Sequence, residues 1–140
     1  MAALTGCSDG AVASTTVPCP PGPFRHSPPL VIAHAGGEGL GPANSVLAMQ
    51  RSLAAGADVL DADLWMTADG VVVAHHDRDI AGDTDGTGNI DELTWQELQR
   101  ADLRAGWSGD TIDQPVRVAS LEQILVEFPT VTISLEIKQS

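Results

Sequence analysis

The 140-residue sequence contains no tyrosine and only two phenylalanines, and all of its apolar runs are short. None approaches the roughly 20 apolar residues that a membrane-spanning helix needs, so we expect no transmembrane span. Basic residues are also scarce, seven against nineteen acidic residues, which gives a formal net charge of -12. Nucleic acid and anionic membrane surfaces would both repel such a chain, so neither is expected as a partner. The 43% of hydrophobic residues suits a soluble α/β domain.

The first 28 residues are rich in Ser, Thr, Pro and Gly, which predicts a disordered tail or linker before a domain at 29–140. Within this tail, Leu4-Thr5-Gly6-Cys7 resembles a bacterial lipobox and predicts a lipid anchor at Cys7 on an extracytoplasmic lipoprotein. Only three residues precede the motif, so the basic and apolar parts of a signal are missing. The match is therefore either a truncated signal or chance, with a cytoplasmic protein in the second case. A disulfide between Cys7 and Cys19 is a further alternative.

Two aspartates lie two positions apart on an apolar run, Val59 to Trp65, that predicts a strand. Asp61 and Asp63 therefore point to the same face. Half-buried carboxylates repel each other and lose hydration, so such a pair usually needs a compensating cation. The alternative is that the pair lines the wet face of an amphipathic strand. Because the intervening residues are also apolar, we expect a strand covered on both sides, which favours metal ligation.

Three further apolar runs predict strands that end in chemically competent residues: Pro29–Ala33 before His34, Val71–Ala74 before His75 and His76, and a run from Thr130 that carries Glu136 and Lys138. Glu136 and Lys138 share a face, where they form either a simple ion pair or a third oxygen ligand beside a phosphate contact. Active sites of parallel α/β sheets assemble at the carboxyl ends of the strands. We therefore expect these side chains to meet at one rim, with the strands at 59–65 and 71–74 ending side by side.

Helical patterns separate the strands. The stretch from Asn44 to Ala55 has apolar residues available for packing and either Asn44 or Ser45 as its N-cap. Capping-box spacing at 94–97 and at 120–123 predicts two more helices, the second ending before Pro129. This order of elements indicates an α/β fold with largely parallel strands.

Several short stretches complete the pattern, in chain order: His34 with Gly36-Gly37, the stretches 41–45, 56–63 and 67–70, His76-Asp77, 84–88, Leu93-Thr94 and Glu136-Ile137-Lys138. Together they resemble the glycerophosphodiester phosphodiesterase family from about Val31 to Lys138. The resemblance implies a TIM-type (β/α)8 barrel, which typically needs about 250 residues. This chain would then hold the N-terminal half of the barrel, either as a fragment of a longer protein or as one half that pairs with another. An open half barrel exposes edge strands and an apolar face.

The resemblance also implies roles for individual residues. The two catalytic histidines of the family fall on His34 and His76, its metal-binding carboxylates on Asp61, Asp63 and Glu136, and its phosphate-side lysine on Lys138. Strand alternation sends His75 to the opposite face from His76, so His75 is not the match. The implied reaction is hydrolysis of a glycerophosphodiester to glycerol 3-phosphate and an alcohol. A Ca²⁺ or Mg²⁺ ion would offset the carboxylate repulsion and stabilise charge on phosphorus, and two imidazoles can divide the acid and base roles.

Departures from the family pattern accompany the matches. Ala35 stands where the family usually has an arginine, Gly82 stands where another is common, and Asp61 replaces a longer glutamate. Each lost arginine removes a bidentate phosphate clamp. These changes indicate either altered substrate preference or reduced activity, so a non-catalytic binding protein stays open. A sphingomyelinase D-like phospholipase, which shares the histidine and acidic-metal logic, is a second alternative.

A different class of site is suggested in the polar, Gly- and Asp-rich stretch from 77 to 118, which otherwise predicts a loop excursion above the sheet. Asp83 and Asp85 occupy the first and third positions of a segment that resembles an EF-hand calcium loop. Position twelve is Thr94 instead of the required glutamate, and no helix is predicted before the loop. A calcium-binding module is therefore the weaker interpretation.

Overall fold

The computed structural model describes residues 29–138, which form one four-stranded sheet with helices and turns packed against it. Its strands are β1 (Ile32–Ala33), β2 (Val59–Met66), β3 (Val72–Ala74) and β4 (Thr132–Ile137). β2 lies between β1 and β4 and is parallel to both, since Val59 pairs with Ile32 on one side and with Thr132 on the other. The order of the parallel strands is thus β1-β2-β4. Strands that follow one another through helical connections lie side by side in this way in (β/α) folds.

β2 is the buried centre of the sheet. Val59, Leu60, Ala62 and Leu64 are all buried, and so is Asp63. Side chains on both faces of the strand are therefore covered, as the sequence predicted. One core cluster contains Leu60 and Ala62 from β2, together with six buried residues from other segments: Ala33, Met49, Ala74, Ala119, Ile124 and Phe128.

The three predicted helices are confirmed with small shifts at their ends. α1 spans Val46–Ala54, and the Ser45 hydroxyl caps it by accepting from the Ala48 amide at 3.1 Å. Helix α2 (Trp95–Leu98) and helix α3 (Leu121–Glu127) each begin with a complete capping box. α1 starts after Asn44 because that residue is left-handed, with φ of 57°, and cannot belong to the helix.

β3 runs antiparallel to β2, and the two therefore do not end side by side. Ala74 pairs with Leu64, and the His75 amide then donates to the Asp63 carbonyl at 2.9 Å. A tight turn reverses the chain between the strands, with the Gly70 amide donating to the Thr67 carbonyl at 3.0 Å. The histidines consequently lie beside the middle of β2, level with Asp63, and not beyond its end.

Residues 77–118 form a small subdomain with an apolar core of its own, which the polar composition did not indicate. Its buried residues pack with Val73 of β3: Ile80, Ile90, Leu98, Ala101, Leu103, Val116 and Val118. The segment contains α2 and short 3₁₀ turns, including Ile80–Gly82 and Ile90–Glu92. The excursion is therefore packed firmly enough to position side chains above the sheet.

Apolar residues are exposed along both outer strands of the sheet. Val31 and Ile32 are exposed at β1, and Leu135 and Ile137 at β4, where Ile137 is 77% exposed. This is the apolar edge that the sequence predicted for part of a barrel. Within residues 29–138 no helix has the length and apolarity to cross a bilayer. The lipobox-like motif, Cys7 and Cys19 lie outside the described residues, so the anchor and disulfide hypotheses stay predictions.

Candidate functional site

Asp63 is the buried centre of the site, and Asn44 holds it. Asn44 Nδ2 donates to Asp63 Oδ2 at 2.9 Å, and the Asp63 amide donates back to Asn44 Oδ1 at 3.0 Å. The left-handed backbone of Asn44 aims its side chain at β2, and its amide donates to the Ala35 carbonyl at 2.7 Å. Sequence reasoning considered Asn44 only as a helix cap and as part of a motif. The sequence signal that could have indicated a structural role is the residue type, because asparagine tolerates a left-handed backbone better than most residues do.

Lys138 supplies the positive charge at this centre. Its Nζ lies 2.8 Å from Glu136 Oε1 and 3.0 Å from Asp63 Oδ1, so it forms an ion pair with both acids. Burial alone would raise the pKa of Asp63, but Asn44 and the Lys138 ammonium outweigh it and hold that pKa below its ordinary value. Glu136 and Asp63 in turn raise the pKa of Lys138. Asp63 is therefore an ionised carboxylate inside the fold.

The three acids suit a hard divalent cation in their chemistry, since all their ligand atoms are oxygens and the buried Asp63 Oδ1 already attracts a cation, the Lys138 ammonium. The positions of the three carboxylates do not by themselves form a metal site. Within the described part of the chain, no three side chains of His, Cys, Asp or Glu converge on a common point. Glu136 is 59% exposed at the edge strand and is engaged by Lys138. Metal ligation by Asp61, Asp63 and Glu136 stays a prediction.

His34 lies just beyond β1 and contacts the first acid of the pair. Its Nδ1 is 3.3 Å from Asp61 Oδ2, and its side chain is 68% exposed. An ionised carboxylate only accepts hydrogen bonds, so a proton on Nδ1 serves this contact and Nε2 is left for another partner. Asp61 thus orients His34 whether or not it also binds a metal.

His76 has the same kind of partner. Its Nδ1 lies 2.7 Å from Asp77 Oδ1, its side chain is 54% exposed, and its carbonyl accepts from Trp65 Nε1 at 3.0 Å. Asp77 was part of a sequence motif but was not predicted as a functional residue. Both predicted catalytic histidines are therefore held through Nδ1, which leaves Nε2 as the ring nitrogen for acid–base chemistry.

A cavity of about 210 Å³ adjoins Asp63's partner Asn44, between the first loop (residues 34–45, from β1 to α1) and the subdomain at 77–118. Its wall includes Asn44, His75, His76, Asp83 and Trp107. His75 lies one residue beyond the end of β3, so strand alternation does not keep it away from His76, and the two line the same cavity. The sequence did not predict His75 as part of the site.

The calcium-loop resemblance finds no support in the local geometry. Asp85 Oδ1 accepts from the Asp102 amide at 2.7 Å, while Asp83 Oδ2 lies 3.7 Å from His75 Nε2. The segment is flanked by 3₁₀ turns and not by the two helices of an EF-hand. These aspartates contribute to the packing of the subdomain and to the cavity wall.

Comparisons with known proteins identify the family of this chain. Residues 34–140 match the model of the glycerophosphoryl diester phosphodiesterase family. The chain is 31% identical over 116 residues to "Probable glycerophosphodiester phosphodiesterase 2" of Mycobacterium tuberculosis, covering 82% of this chain and 40% of that protein. The chain thus spans well under half the length of this curated relative.

Two solved structures show the same fold. The glycerophosphoryl diester phosphodiesterase domain of M. tuberculosis Rv2277c is 31% identical, with a TM-score of 0.69 over 79% of this chain and 44% of that one. A phosphodiesterase of Oleispira antarctica, in complex with the product sn-glycerol-3-phosphate, is 25% identical, with a TM-score of 0.68 over 79% and 44% of the two chains. The prediction of a partial (β/α)8 barrel is confirmed. From its sequence, its fold and these likenesses, the chain belongs to the glycerophosphoryl diester phosphodiesterase family.

Proposed function

We propose that this protein hydrolyses glycerophosphodiesters to glycerol 3-phosphate and an alcohol, with His34 and His76 as the acid–base pair. One observation carries the proposal: each imidazole is held at Nδ1 by a carboxylate, His34 by Asp61 and His76 by Asp77, which leaves Nε2 of both rings for proton transfer. The product complex of the Oleispira relative supports glycerol 3-phosphate as the product.

The residues around the two histidines have distinct tasks in this proposal. Asp61 keeps the ring of His34 oriented and Asp77 that of His76, so that one Nε2 can take a proton from the attacking hydroxyl while the other gives a proton to the departing alcohol. Lys138, whose ammonium contacts Asp63, would contact a phosphate oxygen beside that carboxylate. A chain with a net charge of -12 repels a phosphodiester, so local positive charge is needed at this point.

The family generally depends on a divalent metal, and Asp61, Asp63 and Glu136 would hold it here as Ca²⁺ or Mg²⁺. When bound, the ion would neutralise phosphate charge and polarise the phosphorus–oxygen bonds. Binding of the ion is measurable without turnover, by calorimetric titration of the chain with each metal. Asp63→Asn should weaken it strongly, whereas Asp79→Asn, at an exposed 3₁₀ cap outside the site, should leave it unchanged.

The deciding experiment is an assay of glycerol 3-phosphate release from a panel of glycerophosphodiesters with and without divalent metal. His34→Ala and His76→Ala should each abolish release while retaining the far-UV circular dichroism spectrum and metal binding. Removal of a general acid or base typically costs about 10²–10⁴-fold in rate. An active His76→Ala would overturn the assignment.

A sphingomyelinase D-like activity remains the alternative substrate class, and the same assay separates it. Choline release from sphingomyelin without glycerophosphodiester turnover would favour that alternative. A folded wild-type protein that binds the diesters and cleaves none would indicate a binding protein, in keeping with the missing arginines at Ala35 and Gly82.

A further inference from the structure

The buried imidazole of His75 has no role in the proposed acid–base chemistry, yet it belongs to the cavity wall. Only 2% of the residue is exposed. Its Nδ1 lies 2.8 Å from the carbonyl oxygen of Asp77. A carbonyl oxygen can only accept, so Nδ1 carries a proton, and the tautomer protonated there alone has a lone pair at Nε2.

That lone pair meets another acceptor. His75 Nε2 has no hydrogen-bond partner among the described residues, and the group it faces is the Asp83 carboxylate, with Oδ2 at 3.7 Å. Two acceptors cannot satisfy each other, and for the buried His75 Nε2 the lack of a partner is costly. A group with more than one N–H that donates to both atoms from the cavity would satisfy them.

The rest of the cavity favours a cation over a neutral group. Glu38 adds a second carboxylate to the wall, and Trp107 adds an aromatic ring that can lie against a positive charge. The Asp83 side chain is 49% exposed, so it is free to adjust to an entering group. His76, one of the proposed catalytic residues, lines the same cavity and would hold the reacting phosphate beside it.

We propose that His75 and Asp83 form a subsite for a primary ammonium group on the alcohol portion of the substrate. The protein would then prefer a glycerophosphodiester whose alcohol is an amino alcohol, such as ethanolamine, over one with a quaternary ammonium or a neutral polyol. This inference rests on the proposed function for the diester itself. The quaternary group carries the same charge but has no N–H to donate, so it separates hydrogen bonding from simple charge attraction.

The test is calorimetric binding of three diesters, glycerophosphoethanolamine, glycerophosphocholine and glycerophosphoglycerol, to the full chain carrying His34→Ala, which prevents turnover. We expect the ethanolamine diester to bind on the order of tenfold more tightly than either of the others. Adding Asp83→Asn should abolish this preference without weakening binding of the glycerol diester. Adding His75→Phe, which keeps the volume, should erase the distinction between ethanolamine and choline.

A matched control is Glu122→Gln, which removes one negative charge at an exposed position on α3, away from the cavity, and should leave all three affinities unchanged. Equal affinities for the ethanolamine and choline diesters, or a preference that survives Asp83→Asn, would overturn the subsite. Failure of the proposed function looks different. If the wild-type protein releases no glycerol 3-phosphate but binds the ethanolamine diester selectively, the hydrolase is refuted and the subsite is kept. If it cleaves all three diesters equally, the hydrolase is kept and the subsite is refuted.

Discussion

Asn44 and Asp63 are joined by two reciprocal hydrogen bonds of 2.9 and 3.0 Å, one to the carboxylate and one from the backbone of the same aspartate. The pair locks the first loop onto the central strand. It also gives a buried anion the donor that it needs. A side chain in the loop before α1 therefore sets the charge state at the centre of the site.

Replacing Asn44 should destabilise the protein in two separable ways. Asn44→Gly removes both hydrogen bonds and leaves a buried carboxylate under-satisfied, a cost of about 1–3 kcal/mol. Asn44→Ala should cost about 1 kcal/mol more, because alanine is strained at a φ of 57°. Urea unfolding measures both. Asn89→Ala, at a partly exposed asparagine whose Nδ2 donates to Glu92 Oε2, is the control. Equal stabilities of the Ala and Gly variants would argue against the strain.

Asp102 should make the fold sensitive to acid. The Arg104 side chain, with the Arg104 and Val116 amides, lowers the pKa of Asp102 from 3.8 to about 2 despite the opposing effect of burial. A lowered folded-state pKa adds stability that is fully present above 3.8 and is lost as the pH falls towards 2. Thermal unfolding between pH 5 and about 2 measures this loss.

Asp102→Asn should flatten the pH dependence over that interval, because the group that takes up the proton is gone. Asp113→Asn, which removes an exposed carboxylate from the same subdomain, is the control for deleting one charge. The same steepness in wild type and in Asp102→Asn would show that other acids dominate acid unfolding.

Lys138 occupies the space between Asp63 and Glu136, so it should compete with a metal ion there. Lys138→Met should raise the affinity for Ca²⁺ or Mg²⁺ on the order of tenfold, since it removes a positive charge beside both acids. The same change should reduce glycerol 3-phosphate release if Lys138 contacts the phosphate. Lys138→Arg keeps the charge and should behave much more like wild type in metal titration. An unchanged metal affinity in Lys138→Met would place the ion elsewhere.

Gly82 offers room for the phosphate clamp that the chain lacks. A Cβ at Gly82 would meet no atom within 4 Å, and its backbone is not left-handed, so Gly82→Arg should fold normally. A guanidinium that reaches the phosphate should lower KM by up to about tenfold. Gly39→Arg adds the same charge at another open position and is the control. If both variants change KM equally, the gain is general charge attraction and not a clamp.

Local patterns were sufficient for the elements of the fold. The apolar run of β2 and the capping boxes of α2 and α3 depend on neighbours within a few residues, and each appears where predicted. The direction of β3 and the apolar core of the subdomain were not predicted, because both depend on contacts between segments distant in sequence. The same holds for Asn44, whose partner Asp63 lies nineteen positions away.

By itself the sequence determined which residues are chemically competent: the histidines at 34 and 76, the acids of β2 and β4, and the lysine at 138. Only the tertiary structure decided how their charges are paired. Parallel pairing sets Glu136 opposite Asp63 and so brings Lys138 to both, and the antiparallel return of β3 sets His75 beside a cavity shared with Asp83. The reason is physical. Residue type determines which proton or ion a side chain can bind. Burial and the nearest opposite charge determine whether that side chain is charged in the folded protein.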